Sequence, residues 1–179
     1  MREIFMIKII RKYFLLCAIP ALVMACGYAF APQGDYIDKS IKKVYVQPFK
    51  NNTAQAEIDT YIRAAFIDQF IQGGRFSLAD SIEEADATLQ GIITSLNTAA
   101  LSYRASTLAA EERATITMDI TFQERKSGKV IWTSKSVAGA ADYALPDNIN
   151  AVPQTRKTAL FKLATDTAEK TYNIMMSGF

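Results

Sequence analysis

The sequence predicts an α+β two-layer sandwich, in which a mostly antiparallel sheet of about four strands carries two main helices on one face. Three observations predict this fold. Residues 114–123 alternate strictly between apolar and polar side chains, which is the pattern of a half-buried strand. After a glycine-containing turn, residues 130–139 form a return strand, which indicates an antiparallel hairpin. Apolar residues at helical spacing predict one helix over residues 58–70 and a longer one at the C-terminal end.

The first 25 residues are predicted to be a lipoprotein signal peptide. Basic residues precede the apolar run YFLLCAIPALVM, Ala25 supplies a small-residue exit, and Cys26 follows, in the order that a leader requires. The run is shorter than the roughly 20 residues of a spanning helix. We therefore expect cleavage before Cys26 and lipidation of its thiol. The alternatives are an ordinary secretory leader and a short membrane helix.

Composition limits what the mature chain can do. Residues 26–40 are predicted to be a lipidated tether and residues 41–179 a single domain. Four of the 20 basic residues and one of the 18 acidic residues leave with the leader, so the mature chain is about neutral and shows no nucleic-acid footprint. There is no histidine, and neither Cys17 nor Cys26 would remain as a free thiol. This inventory excludes the usual serine, cysteine and zinc hydrolases, implies no cofactor or metal, and argues against an enzyme.

The N-terminal part of the domain is predicted to be a strand followed by a helix. Residues 41–49 form the strand, and Pro48 marks its end or an edge position because proline cannot donate to a ladder. Residues 51–53 are predicted to be a turn and helix cap. Gly73 and Gly74 close the helix.

The middle of the domain is predicted to hold a short strand at residues 75–79 and a second long strand at residues 88–97. In the long strand, Gly91 marks a bulge or a close approach. Residues 98–113 form a polar connection without a clear period, either a strand extension with a mobile loop or a plain loop. Exposed Tyr103 and Arg104 make this connection a candidate for partner contacts.

Two further features complete the chain. The paired acidic residues Glu111 and Glu112 are interpreted as a solvated face, and residues 142–154 as a loop before the last helix. That helix is predicted to present one face to the core. The residues of this face are Leu160, Leu163, Ala164, Thr167, Ala168, Thr171 and Met175.

Several segments together resemble one family of envelope lipoproteins. In chain order they are CGYAF at residues 26–30, VYVQPFKNNT at residues 44–53, ADATLQG at residues 85–91, and the hairpin from Arg113 to residue 139 with Tyr143 after it. Together they are similar to the lipopolysaccharide-assembly lipoprotein family LptE.

The resemblance implies a protein that works by binding. It implies an outer-membrane lipoprotein, anchored at Cys26 and facing the periplasm, that plugs and helps assemble the LptD β-barrel. It also implies lipopolysaccharide binding on the way to the outer leaflet. In bacterial lipoproteins as a class, a residue other than aspartate after the anchoring cysteine, here Gly27, favours the outer membrane.

Basic side chains are the candidates for contact with lipopolysaccharide phosphates. The predicted hairpin tip carries Arg125, Lys126 and Lys129, and Arg104 and Arg113 are expected behind it. A solvated turn without a ligand is the alternative for the tip.

Two other functions are compatible with the same sequence. The segment VYVQPFKNNT also resembles the opening strand of envelope lipoproteins that activate peptidoglycan synthases and of the curli-secretion type. The main alternative is therefore a lipoprotein that binds and activates a periplasmic peptidoglycan synthase. A structural envelope protein without a dedicated partner is the third possibility.

Overall fold

The structure is a computed structural model that describes residues 36–104 and 108–178. The predicted signal peptide, Cys26 and most of the predicted tether lie outside the described residues. The strands are β1 (Lys43–Val46), β2 (Lys50–Asn51), β3 (Ser77–Leu78), β4 (Ala87–Tyr103), β5 (Ala109–Glu124) and β6 (Val130–Ala144). The helices are α1 (Ile58–Gly73) and α2 (Val152–Ser177), and a 3-10 turn at Ile149–Ala151 precedes α2.

The sheet is mixed and has six strands within the described residues, in the order β3-β1-β4-β5-β6, with β2 also paired to β4. The prediction of about four strands was therefore wrong in number. The short strand predicted at residues 75–79 joins the sheet as β3, and the chain resumes pairing after Pro48 as the two-residue strand β2. The prediction was also wrong in direction for the N-terminal half, where β1 and β2 both run parallel to β4. The helix α1 between β1 and β4 provides the crossover that parallel pairing requires.

The predicted hairpin is confirmed and is longer than expected. Strand β4 pairs with β5, and β5 pairs with β6, both antiparallel. Residues 98–103 belong to β4 and residues 109–113 to β5, so the connection predicted at residues 98–113 is mostly a strand extension. Strand β6 continues to Ala144 and α2 begins at Val152, so the loop is shorter than the predicted 142–154.

Both helices pack on one face of the sheet and close a single core. The predicted stripe of α1 is confirmed at Ile58, Ile62, Ala65, Phe66 and Phe70, which are all buried. The cap predicted at residues 51–53 was wrong, because α1 starts after Glu57, which has a left-handed backbone and no side-chain cap. The Asn51 side chain instead closes a turn by accepting from the Thr53 amide at 2.9 Å.

Aromatic rings fill the centre of this core. Phe70 lies 5.3 Å from Tyr172 of α2 and 6.2 Å from Phe122 of β5, measured between ring centroids. Ile37 is only 1% exposed and belongs to the same core. The packed domain therefore includes residues before 41.

Small side chains on α2 let the helix approach the sheet closely. All the residues predicted for its core face are buried except Leu160, which is half-buried. A β-carbon at Gly139 of β6 would lie 1.9 Å from Oγ1 of Thr167. Helix α2 therefore lies directly over β6.

Candidate binding surfaces

The five predicted basic residues lie in two groups at opposite ends of β5. Arg125, Lys126 and Lys129 are in the turn between β5 and β6, called here the basic turn (residues 125–129). Arg113 lies near the other end of β5, twelve residues earlier, which is roughly 40 Å along an extended strand. Arg104 is in the connection between β4 and β5. The expectation that Arg104 and Arg113 stand behind the turn was therefore wrong.

The basic turn is closed by its own backbone. The Glu124 amide donates to the Lys129 carbonyl at 2.8 Å, and the Gly128 amide donates to the Glu124 carbonyl at 3.0 Å. Gly128 has a φ of 68°, a conformation that glycine adopts without steric cost. The turn therefore holds its two lysines at a fixed position on the surface.

Arg125 is used to hold the turn in place. Its Nε donates to the Ala85 carbonyl at 2.6 Å, and its amide donates to the Asp86 carbonyl at 2.8 Å. Lys126 and Lys129 are exposed and form no ion pair with a carboxylate of the described residues. Of the five predicted basic residues, Lys126 and Lys129 are therefore the two whose charged groups are not already paired or hydrogen-bonded within the described residues.

Asp86 joins the basic turn to the start of β1. Its carboxylate accepts from the amides of Lys43 and Lys42, both at 2.9 Å. These two hydrogen bonds hold the pKa of the Asp86 carboxyl below its ordinary value, and the nearby charge of Lys126 adds to the effect. A cleft of about 280 Å³ opens beside the turn. Its lining is Tyr36, Asp38, Ile41, Glu124, Lys129, Val130 and Ile131.

Arg113 is paired across the hairpin. Its Nε and one terminal nitrogen donate to the two carboxylate oxygens of Asp142 at 2.6 and 2.7 Å. Both side chains are half exposed. The hydrogen bonds from Arg113 lower the pKa of the Asp142 carboxyl. The guanidinium of Arg113 already has a two-pronged carboxylate partner within the chain.

Arg104 is also engaged within the chain. It donates to the Leu145 carbonyl at 2.5 Å and lies 3.2 Å from the Asp147 carboxylate. It helps to line a cleft of about 360 Å³, called here the distal cleft. The lining comprises Arg104, Leu108, Ala109, Glu112, Leu145, Pro146, Asp147, Ile149, Val152 and Arg156.

The distal cleft contains a charged network that the sequence analysis missed. Glu112 accepts from Arg156 at 2.6 and 3.0 Å and from the Tyr143 hydroxyl at 2.6 Å. Its pKa is held below the ordinary value chiefly by the Arg156 hydrogen bonds, while burial opposes this. Glu112 is 7% exposed, so its interpretation as part of a solvated face was wrong. The apolar, core-facing positions of β5 are every second residue from Ala114 to Phe122, and the same alternation extended to residue 112 places Glu112 on the core-facing side.

Apolar side chains surround the distal cleft on the surface. Tyr103 and Leu108 are 68% and 63% exposed, and Ile149 is 79% exposed. Scattered apolar residues are normal on a surface, but a group at one end of a hairpin indicates a contact surface. The region predicted to contact a partner therefore does carry exposed apolar side chains.

Solved structures show which proteins share this fold. Uncharacterized lipoprotein B from Nitrosomonas europaea matches with a TM-score of 0.53 at 12% identity, over 84% of this chain and 91% of that chain. A protein from Xanthomonas campestris matches with a TM-score of 0.51 at 10% identity, over 76% and 85%. The PelC dodecamer from Paraburkholderia phytofirmans matches with a TM-score of 0.50 at 14% identity, over 81% and 94%.

The class of protein follows from this fold. It is a small α+β domain of the kind found in bacterial lipoproteins. The family model LptE, described as lipopolysaccharide-assembly, matches residues 41–174, and the chain belongs to this family of lipoproteins. No curated protein shows significant sequence similarity to the chain. No helix in residues 36–104 or 108–178 is long and apolar enough to cross a membrane.

Proposed function

We propose that this LptE-family protein is anchored in the outer membrane through lipidated Cys26, docks inside an LptD-type β-barrel and helps it assemble, and binds lipopolysaccharide. It acts by binding and not by catalysis. The observation that carries the proposal is the family match over residues 41–174, which covers almost the whole described domain. The same match does not favour the alternative, an activator of a peptidoglycan synthase.

Docking inside a barrel is supported by the character of the domain surface. The lumen of a large outer-membrane barrel is polar, and the sheet face away from the helices carries Thr115, Thr117, Asp119 and Thr121, all half-buried. Neither helix of the described residues packs on this face. A plug of this kind needs a polar outside, and this face provides one.

Copurification tests the barrel partner. The full chain, expressed with the LptD-type barrel of its own genome, is expected to purify with that barrel after gentle solubilisation of the outer membrane. Recovery of a penicillin-binding protein in place of the barrel would support the alternative function and contradict this one.

Lipopolysaccharide phosphates are proposed to meet Lys126 and Lys129 of the basic turn. Arg104 and Arg113 are each already paired with a carboxylate, and Arg125 holds the turn through backbone carbonyls. The two exposed lysines have no such partner among the described residues, and Lys129 borders a cleft whose lining includes Val130 and Ile131. The carboxylates of Asp38 and Glu124 line the same cleft and would repel a phosphate, so the assignment depends on the two exposed ammonium groups and not on the cleft.

Replacing both lysines tests this assignment. The double variant Lys126→Ser and Lys129→Ser is expected to bind purified lipopolysaccharide about tenfold more weakly at low salt, because two phosphate contacts are lost. The difference should shrink as salt rises, since exposed charges are screened. The matched control replaces exposed Lys50 and Lys157 by serine. Equal binding by both double variants would contradict the assignment.

A further inference from the structure

Strand β6 forms a long free edge of the sheet. Among the described strands it pairs with β5 alone. On the opposite side, β3 is only two residues long. Residues 95–103 of β4 are also unpaired on that side among the described strands, because β1 and β2 pair with β4 only as far as Ile93. Natural sheets shorten or cover their edges because unpaired backbone groups attract further strands. The β6 edge is therefore a long edge that is able to receive another strand, and it differs from the β4 edge in having α2 beside it.

We call residues 138–144 of β6 the edge segment. Four of its residues direct their backbone N–H and C=O groups away from the sheet. The Leu145 amide donates to the Ala110 carbonyl of β5 at 2.8 Å, and backbone groups alternate in direction along a strand. The amides of Gly139, Ala141 and Tyr143 therefore face β5. The residues whose N–H and C=O groups face outward are Ala138, Ala140, Asp142 and Ala144.

The edge segment lacks the features that usually block strand addition. The earlier part of β6 is interrupted at Ser136, which has a φ of 57° and whose amide donates to the Asp119 carboxylate at 2.9 Å. The edge segment itself reads AGAADYA and contains no proline, and its side chains are small at every position except Asp142 and Tyr143. Its single charge, Asp142, is paired with Arg113.

Two clefts follow the edge segment. One, of about 370 Å³, lies on the helix side between Ala141 and Tyr143 of β6 and Thr158 and Ala159 of α2. The other, of about 350 Å³, lies at Gly139, where it is bordered on α2 by Asp166, Thr167 and Lys170 and extends to Thr115 on the outer face of the sheet. A strand added next to β6 would place alternate side chains in these clefts. An edge strand with a helix beside it is a recurring site for extended peptides.

We propose that the edge segment receives an extended segment of the partner barrel chain as an additional strand of the sheet. This inference rests on the proposed function, because the barrel supplies the segment. The clefts favour small or medium apolar side chains next to Ala159 and a polar or charged one between Asp166 and Lys170. Backbone hydrogen bonds to Ala138, Ala140, Asp142 and Ala144 would fix the register.

A second copy of this chain does not fit the same edge. Adjacent strands are about 4.8 Å apart, whereas packed helices need about 8–10 Å between their axes. Helix α2 lies directly over Gly139, so pairing two β6 edges would bring two α2 helices too close together. The added strand must therefore carry no helix on the side that faces α2. An extended segment without a packed helix meets this requirement.

A proline at Ala140 tests the proposal. Ala140→Pro removes an outward N–H group, costs no hydrogen bond to β5, and is compatible with an edge strand. We expect recovery of the barrel complex from the full-length chain to fall about tenfold or more. The control, Ala140→Ser, keeps the donor and is expected to bind like the unsubstituted chain. Circular dichroism shows whether each variant is folded.

Hydrogen exchange on the unsubstituted complex gives a second, independent measurement. The amides of Ala140 and Asp142 should exchange fast in the free protein and slowly in the complex, while those of Gly139 and Ala141 are slow in both. Unchanged exchange at Ala140 and Asp142 would overturn the inference even if the proline variant is unfolded. A complex that tolerates Ala140→Pro would overturn it and leave the proposed function intact. Failure of the unsubstituted chain to bind the barrel would overturn both.

Discussion

At the scale of single residues, the position of a side chain on its strand decides its chemistry. Glu111 and Glu112 are neighbours on β5, but they point to opposite faces. Glu111 is exposed and accepts from Ser102 at 3.1 Å. Glu112 is buried and holds Arg156 and Tyr143. A buried carboxylate is stable only with such partners.

Replacing Glu112 should reduce stability in a pH-dependent way. The folded pKa of Glu112 is lowered, so its contribution is present above the unfolded pKa of about 4.3 and is lost as pH falls through the folded value. Glu112→Gln is expected to lower the free energy of unfolding by about 1–3 kcal/mol at pH 7, with a smaller difference below pH ~4. Denaturant titrations at several pH values measure this. Glu111→Gln is the control, and an equal loss in that variant would contradict the assignment.

At the scale of elements, the break between β1 and β2 places a side chain that connects the sheet to α1. Pro48 lies between β1 and β2, which continue along the same neighbour, β4. The ring of Phe49 then turns into the core and stacks on Phe66 of α1, with 5.4 Å between centroids. A β-carbon at Gly91 would lie 2.3 Å from Cε1 of Phe49. The close approach predicted at Gly91 is therefore confirmed, and glycine provides the room for the ring.

Filling that space should destabilise the fold. Gly91→Ala is expected to cost about 1–3 kcal/mol, because the new methyl group forces the Phe49 ring to move. The penalty should be smaller in a Phe49→Leu background, where a shorter side chain can rotate away. A double-mutant cycle by chemical denaturation measures the coupling. Strictly additive effects would show that Phe49 does not limit the site.

At the scale of the whole molecule, the helices cover only one face of the sheet. The outer face, the basic turn, the distal cleft and the β6 edge are left uncovered by other described elements. Without the predicted leader, the chain would have 16 basic and 17 acidic residues and would be nearly neutral. Under the proposed function, specific recognition therefore depends on local groups, since no large net charge attracts a partner.

Removing the proposed anchor tests localisation. Cys26→Ser is expected to abolish lipidation and to move the protein from the outer-membrane fraction to a soluble or unprocessed form, because no acyl chain can be attached. Mass spectrometry of the purified protein and membrane fractionation measure the two effects. Cys17→Ser is the control. An unmodified thiol at Cys26 in the unsubstituted protein would contradict the anchor.

Much of the candidate site could be predicted from the sequence, but its arrangement could not. The basic turn was found from its glycine and its alternating flanks, because turn chemistry is local. Arg156 was missed because its partner Glu112 is 44 residues away in sequence, and no spacing rule connects them. The expectation that Arg113 lies behind the turn conflicted with the strand predicted over residues 114–123, because an extended strand of that length places Arg113 and the turn at opposite ends.

The α+β class, the two helices, the central hairpin and the resemblance to LptE could all be read from local patterns, since periodicity and turn residues act over short distances. The parallel pairing of β1 and β2, the burial of Glu112 and the free edge of β6 could be seen only in the folded chain. These depend on which distant segments meet in the sheet. Strand order and exposed edges are set by the packing of the whole chain, which no local pattern contains.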